Sequence, residues 1–258
     1  MNTELISSDI TDKTLTIQFN RVDKKNALTS LMYKSMTDIL HDAESNSKVA
    51  TVLFRGQSNL FTSGNDVKDF LNRDPNETIS AIHFLNAISK FPKPIVAAVG
   101  GDAIGIGTTM LMHCDIVVAA DNARFQLPFV NLGLCPEAAS SYLLQELSGT
   151  KMASQLLLLG EYFNAQVALQ SGIINFITPE DILIETAEGI AHKLSKKPSD
   201  AIRTTKRLLK SHHEKIVSET IKEELIEFSR LLNTPAAKEI FNAFLEKRAP
   251  DRNIIESI

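Results

Sequence analysis

Residues 94–107 read PIVAAVGGDAIGIG. The first six are apolar and rich in β-branched residues, which predicts a strand buried on both faces. The glycines that follow let the chain turn sharply between that strand and a helix. Working outward, residues 15–19 (LTIQF) alternate like a half-buried strand, while 50–54 (ATVLF) and 116–119 (IVVA) read as buried ones. Helices are expected between them. Thr29 is a candidate N-cap for a helix through Asp42, and Asn76 with Thr78 precedes the apolar pattern Ile79, Ile82, Phe84, Leu85 and Ile88, which stops before Pro92. Strand–helix–strand repetition of this kind predicts an α/β protein with a mixed or parallel sheet and crossover helices.

After about residue 180 the pattern changes. Residues 182–194, 199–209, 216–232 and 236–244 all read as helices, separated by Pro198, the polar stretch 211–215, and Pro235 in a first turn after Thr234. In the third of these, Val217, Ile221, Leu225, Phe228 and Leu232 share a face, and the charges Lys222, Glu223, Glu224 and Glu227 fall largely elsewhere. The chain therefore divides into a core over 1–198 and a helical region over 199–258. That region either covers its own core or also mediates oligomerisation.

Composition narrows the function. A chain of 258 residues that is 43% hydrophobic has enough apolar side chain for a substantial core. With 27 Lys plus Arg against 31 Asp plus Glu, the net charge of −4 supplies no global positive field, so nucleic acid is not an expected partner. The two cysteines, Cys114 and Cys135, form no CxxC and have no histidine at ligand spacing, which argues against a disulfide framework or a structural metal and for a reducing, cytoplasmic setting. No membrane association is expected. The longest apolar run, 103–112, is about half of the roughly 20 residues needed to span a bilayer. Residues 1–10 lack signal-peptide character, and the terminal Glu-Ser-Ile is not a peroxisomal address.

Several catalytic signatures are missing: no G-x-S-x-G elbow, no phosphate-binding Gly-Lys-Ser/Thr loop, no His-Glu-x-x-His helix. The glycines at 100–107 do not complete a dinucleotide fingerprint, because position 110 is methionine. Two loops remain informative. Phe61-Thr62-Ser63-Gly64-Asn65-Asp66-Val67 and Gly105-Ile106-Gly107 each follow a strand and open a helix, where backbone N–H groups are not yet used by the helix. Either alone is consistent with an ordinary tight turn; together they suggest two donors meeting one oxygen, the construction of an oxyanion hole.

The order of several segments goes further. Asn26-Ala27-Leu28, Phe61-x-x-Gly64-Asn65-Asp66-Val67, Pro92-Lys93-Pro94-Ile95-x-Ala97, Ala103-Ile104-Gly105-Ile106-Gly107, Cys114-Asp115, Phe125-x-x-Pro128, Leu132-Gly133 and Phe244-x-Glu246-Lys247-Arg248 resemble the motifs of the crotonase (enoyl-CoA hydratase/isomerase) superfamily over nearly the whole chain. The resemblance implies a spiral of ββα turns followed by a C-terminal helical trimerisation region, and hence a homotrimer or a dimer of trimers. It implies an acyl-CoA substrate and no further cofactor. The thioester oxygen would be held by the backbone N–H groups of Asn65 and Ile106, with Lys25, Ala27, Ser63, Gly64, Asp66, Val67, Gly105 and Lys247 around the ligand.

Hydratases of this family use two glutamates, and by the motif alignment those positions hold Thr109 and Phe129, neither of which can titrate. Instead Pro136-Glu137-Ala138-Ala139-Ser140-Ser141 resembles the stretch of Δ3,Δ2-enoyl-CoA isomerases in which the glutamate is the catalytic base. The resemblance therefore points to an isomerase of unsaturated fatty acid oxidation, with Glu137 moving the proton. Pro136 at a first helical position would place Glu137 in a first turn, where the helix dipole favours the carboxylate and an apolar pocket opposes it. Alternatives are a hydratase, a thioester hydrolase or another enolate enzyme of this fold, and a non-catalytic acyl-CoA-binding protein. His113 and Asp115 read as structural and the His212-His213 pair as solvated. Lys24, Lys25, Lys68, Lys247 and Arg248 are the candidate cations for the CoA phosphates, although Val22 and Asp23 stand where the family usually has a proline.

Overall fold

The computed structural model describes residues 5–71 and 80–256. It opens with a hairpin of β1 (Ile6–Thr11) and β2 (Thr14–Phe19), joined by Asp12 and Lys13, both at positive φ (49° and 62°), which gives the turn the twist of its strands. Then follow α1 (Ser30–Ser45), β3 (Thr51–Arg55), α2 (Val67–Leu71), α3 (Ser80–Lys90), β4 (Ile95–Val99), β5 (Asp102–Ile104) and α4 (Ile106–Thr109). Next come β6 (Ile116–Ala120), β7 (Arg124–Gln126), α5 (Ser140–Leu159), β8 (Tyr162–Asn164), α6 (Ala165–Gln170) and β9 (Phe176–Thr178). The chain closes with α7 (Leu183–Ser195), α8 (Ser199–Ser211), α9 (Glu214–Leu232), α10 (Pro235–Glu246) and α11 (Arg252–Ile255). Thr29 caps α1 by accepting from the Met32 amide, as its sequence position predicts. The expected caps Asn76 and Thr78 lie outside the described residues.

The large sheet has the order β1-β2-β3-β4-β6-β9, parallel throughout except for the β1–β2 pair. The short sheet β5-β7-β8 is extended by single parallel bridges, Thr62 to Ala103 and Leu28 to Asn65. The architecture is thus a spiral. On each turn the chain gives one strand to the large sheet, one short segment to the small sheet and then a helix, the ββα unit of the crotonase fold. A C-terminal group of helices follows.

Burial explains the continuous apolar runs. Every residue of β4 is buried because α7 packs across β3, β4 and β6 on one face. On the other, Phe19, Phe54, Phe61, Phe84 and Tyr33 form an aromatic cluster with centroid separations of 5.1 to 6.4 Å, joining β2, β3, the 61–66 loop, α1 and α3. Buried cations finish the edges of this core. Lys93 donates to the Ala43 and Asn46 carbonyls at the end of α1 (2.6 and 2.8 Å), and Lys206 on α8 reaches Asp115 (2.6 Å). Asp115 in turn accepts from the Ile95 amide at 2.7 Å, the orienting role its position suggests. No helix among the described residues is long and apolar enough to cross a membrane.

Candidate active site

The site is built on the loop after β3. Asn26 is fully buried at φ 53°, a conformation asparagine adopts more cheaply than most residues. Its side chain accepts from the Arg21 amide (2.8 Å) and donates to Gln57 Oε1 and the Phe61 carbonyl (both 2.9 Å); its own carbonyl accepts from Thr62 Oγ1 at 2.6 Å. Ser63 N–H donates to the Lys25 carbonyl, Leu28 N–H to that of Gly64, and Asp66 N–H to that of Leu28. Residues 25–28 are therefore laced to 63–66. Tyr33, buried on α1, donates to Asn65 Oδ1.

The second loop lies against the first. Ile104 N–H donates to the Thr62 carbonyl (3.1 Å), and a Cβ at Gly64, whose φ is +87°, would stand 2.7 Å from the Ile104 oxygen. Only glycine allows that approach. Gly105, at φ +56°, also needs glycine for its conformation, and the space beside it is open to at least 4 Å. The residues after these glycines are Asn65 and Ile106, and among the described residues neither amide N–H has a protein acceptor. Two free donors thus follow two adjoining turns.

Glu137 reaches the same region from the far side. Its Oε1 is 3.4 Å from Thr109 Oγ1, a long contact at the end of α4, one helical turn from Ile106. Glu137 and Asn65 line one narrow cavity of about 30 Å³ with Ala81 and Leu85 of α3 and Ile221 and Phe228 of α9. Ile106 is 1% exposed and does not contribute to that wall.

The first-turn placement expected for Glu137 does not hold. Pro136 and Glu137 are not in a helical first turn: α5 begins at Ser140, and Ala138 and Ala139 both have positive φ (61° and 57°). No helix dipole supports the Glu137 carboxylate directly. Burial, and next the charge of Glu224, raise its pKa to about 8, and the Thr109 hydroxyl only partly opposes them. It is a carboxyl poised to exchange a proton near neutrality. His113 stands behind it, its Nε2 2.8 Å from the Ala138 carbonyl; burial and the Lys210 charge lower its pKa to about 4, so the neutral ring donates to that oxygen.

The outer residues are more dispersed. Asp66 is committed to Arg21 (2.7 Å) and to the Lys68 amide (2.9 Å), which outweigh its burial and hold its pKa below the ordinary value. Ala27 and Val67 are half-buried, and Lys24, Lys25, Lys68 and Lys247 are exposed. Lys247 ends α10 in a left-handed conformation, and α10 packs against α2. Arg248 is not a free cation: it pairs with Glu239 and Glu246, both at 2.5 Å. Among the described residues no group of three or more His, Cys, Asp or Glu could hold a metal ion.

Residues 9–253 match the family model for enoyl-CoA hydratase/isomerase. The chain belongs to the enoyl-CoA hydratase/isomerase family. Among its relatives, 2,3-dehydroadipyl-CoA hydratase of Escherichia coli is 31% identical over 93% of this chain and 94% of its own. The peroxisomal enoyl-CoA delta isomerase 3 of Mus musculus is 33% identical over 90% of this chain and 75% of its own. The crystal structure of an enoyl-CoA hydratase/isomerase from Pseudoalteromonas atlantica superposes with a TM-score of 0.91 at 37% identity, covering 96% of this chain and 99% of that one.

Within this hydratase/isomerase, Thr109 and Phe129 are both buried and Phe129 belongs to the apolar core, so neither position brings a carboxylate to the site. The carboxylate that sequence reading missed is Glu224. Grouped with the outward charges of its helix, it is instead buried at 8% exposure and lines the cavity with Glu137. The signal was present: Ile221, Glu224, Leu225 and Phe228 share a face by spacings of three and four. Arg21, Tyr33 and Thr62 were missed as well, since each acts on a residue distant in sequence.

Proposed function

We propose that this chain is a Δ3,Δ2-enoyl-CoA isomerase. The observation that carries the proposal is that, of the two cavity carboxylates among the described residues, Glu137 is held by no more than the long Thr109 contact. The other, Glu224, accepts from Ala139 N–H, Ser141 N–H and Ser141 Oγ at 2.5 to 2.9 Å, which leaves it unsuited to hold a water or deliver a proton. A hydratase needs two working groups; an isomerase needs one.

In the proposed reaction the Glu137 carboxylate takes a proton from C2 of a 3-enoyl thioester. The electron pair of that C–H bond moves into the C1–C2 bond and charge gathers on the thioester oxygen, giving a dienolate. The Asn65 and Ile106 amides meet that oxygen, each such donor contributing about 3 to 4 kcal/mol of barrier lowering. Glu137 then returns the proton at C4, the C2–C3 double bond forms, and the thioester carbonyl is restored. A pKa raised to about 8 suits both halves, since the group must accept a proton and then release it.

The remaining assignments belong to the same proposal. Lys25 and Lys247 would meet the CoA phosphates; Ala27, Ser63, Gly64, Val67 and Gly105 would pack against the ligand. Residues 1–198 would form the acyl-CoA-binding core and 199–258 the oligomerisation region of a cytoplasmic homotrimer or dimer of trimers. The names of the relatives divide between hydratases and isomerases, so the test compares both reactions. Purified protein is given a 3-enoyl-CoA, with the conjugated product followed by absorbance, and separately a 2-enoyl-CoA, with hydration and free-thiol release followed. The proposal expects isomerisation to exceed both by at least about tenfold. Faster hydration or thiol release overturns it, and tight acyl-CoA binding without any turnover indicates a binding protein.

A further inference from the structure

The start of α5 lacks a local cap. Its N-cap position is Ala139, whose side chain can accept nothing, and the two residues before the helix, Ala138 and Ala139, sit in the left-handed region that costs a non-glycine residue roughly 1 to 2 kcal/mol each. Something else must hold this turn. Glu224, on α9 and more than 80 residues further along the chain, supplies it: one carboxylate oxygen accepts from Ala139 N–H (2.6 Å), the other from Ser141 N–H (2.9 Å) and Ser141 Oγ (2.5 Å). From the opposite side His113 Nε2 holds the Ala138 carbonyl. Glu137 immediately precedes the clamped segment.

The clamp is also charged. Two buried carboxyls beside one cavity titrate as a pair, and the first to ionise is the one with more hydrogen-bond donors. Burial raises the pKa of Glu224, and its three donors only partly oppose that; Glu137 has the single long contact from Thr109. When one of the two ionises, the negative charge therefore settles on Glu224. Among the described residues the other ionisable groups facing this region are His113, neutral and backed by Lys210 and Lys206, Cys135, whose thiol is pushed up to about 11 by burial and then by Glu224, and Tyr33 of α1, whose pKa is raised by its burial and then by Glu137 and Asp69. None of these places a positive charge against Glu137.

We propose that Glu224 is a positioning residue for the reaction at Glu137: it fixes the left-handed turn that presents the Glu137 carboxylate to the cavity, and its charge makes Glu137 a stronger base. This rests on Glu137 being the base. It also gives α9 a double part, because Ile221 and Phe228, which wall the cavity, stand on the same helical face as Glu224. Helix capping alone would explain the three hydrogen bonds but predicts no effect on the pH dependence of turnover.

The test is the pH profile of kcat/KM for isomerisation. Glu224→Gln keeps an acceptor oxygen and removes the charge, and Ser141→Ala, an alanine substitution in the first turn of a helix, removes one donor so that Glu224 is more readily neutralised. In wild type the rate rises with pH as Glu137 loses its proton. The midpoint of that rise is expected to move toward acid, by about one pH unit in Glu224→Gln and by less in Ser141→Ala. If Glu224→Gln does not fold, Ser141→Ala decides. The wild-type midpoint retained in the folded variants, whatever their melting temperatures, overturns the proposal. Glu137→Gln run alongside separates the two ideas: if it keeps wild-type turnover, the assignment of the base fails, whereas an inactive Glu137→Gln with unmoved midpoints fails Glu224 alone.

Discussion

His113 Nε2 lies 2.8 Å from the carbonyl oxygen of Ala138, the residue that follows Glu137. A buried histidine thus fixes the backbone beside the proposed base without itself reaching the cavity. Its lowered pKa sets a sign for stability. The folded state prefers the neutral ring, with a pKa near 4, while the unfolded chain titrates at the ordinary histidine value near 6.5. The unfolded chain therefore binds the extra proton first as pH falls, and this contribution to stability, complete above pH 6.5, is lost progressively toward pH 4. Urea unfolding of wild type and His113→Gln at pH 7 and pH 5 should show the wild type losing more stability between the two. Equal losses would mean the histidine is not held neutral.

Glu137 has the opposite sign. Its folded pKa of about 8 exceeds the ordinary 4.5, so the stability it contributes is full below pH 4.5 and is lost as pH rises through 8. Glu137→Gln removes the cost of ionising a buried carboxyl. Its melting temperature should equal or exceed that of wild type, with the gap widening from pH 5 to pH 9. A gap that narrows over that range contradicts the raised pKa.

Tyr33 donates to the side chain of Asn65, whose amide is a proposed oxyanion donor. Tyr33→Phe deletes the hydroxyl and keeps the ring that packs on Phe84 at 5.7 Å. The loss of one neutral hydrogen bond is worth about 1 kcal/mol, so steady-state kinetics should show kcat falling about fivefold with KM little changed. An unchanged kcat would separate Asn65 orientation from the reaction.

Asn26 is the buried hub of the 61–66 loop. Asn26→Ala strands the Arg21 amide and the Phe61 carbonyl and puts alanine at φ 53°. Each orphaned buried group costs about 1 to 3 kcal/mol, so chemical denaturation should register a loss of about 3 kcal/mol or more. A loss under about 1 kcal/mol would show that the loop is held elsewhere.

The β-branched runs were legible because each is buried by layers on both sides, and the strands at Ile95–Val99 and Ile116–Ala120 fall within a residue of their sequence reading. The short strands were not. Arg124–Gln126 has a single apolar residue and Ile6–Thr11 carries Ser7, Ser8 and Asp9, so neither shows the period of a strand; partners on other parts of the chain define them. The same holds at the site. Glu137 was found through its neighbours in sequence, yet its place before rather than within α5 follows from Ala138 and Ala139, and alanine carries no local signal for a left-handed backbone. The groups that hydrogen-bond this turn, His113 and Glu224, lie far from it in sequence.

The central claim is that a single carboxylate moves the proton, and it is tested most directly by the rate at which Glu137→Gln converts a 3-enoyl-CoA to its conjugated 2-enoyl isomer. The account predicts a folded protein that still binds acyl-CoA and turns over about 10² to 10⁴ times more slowly than wild type. Wild-type turnover by the folded variant would contradict it.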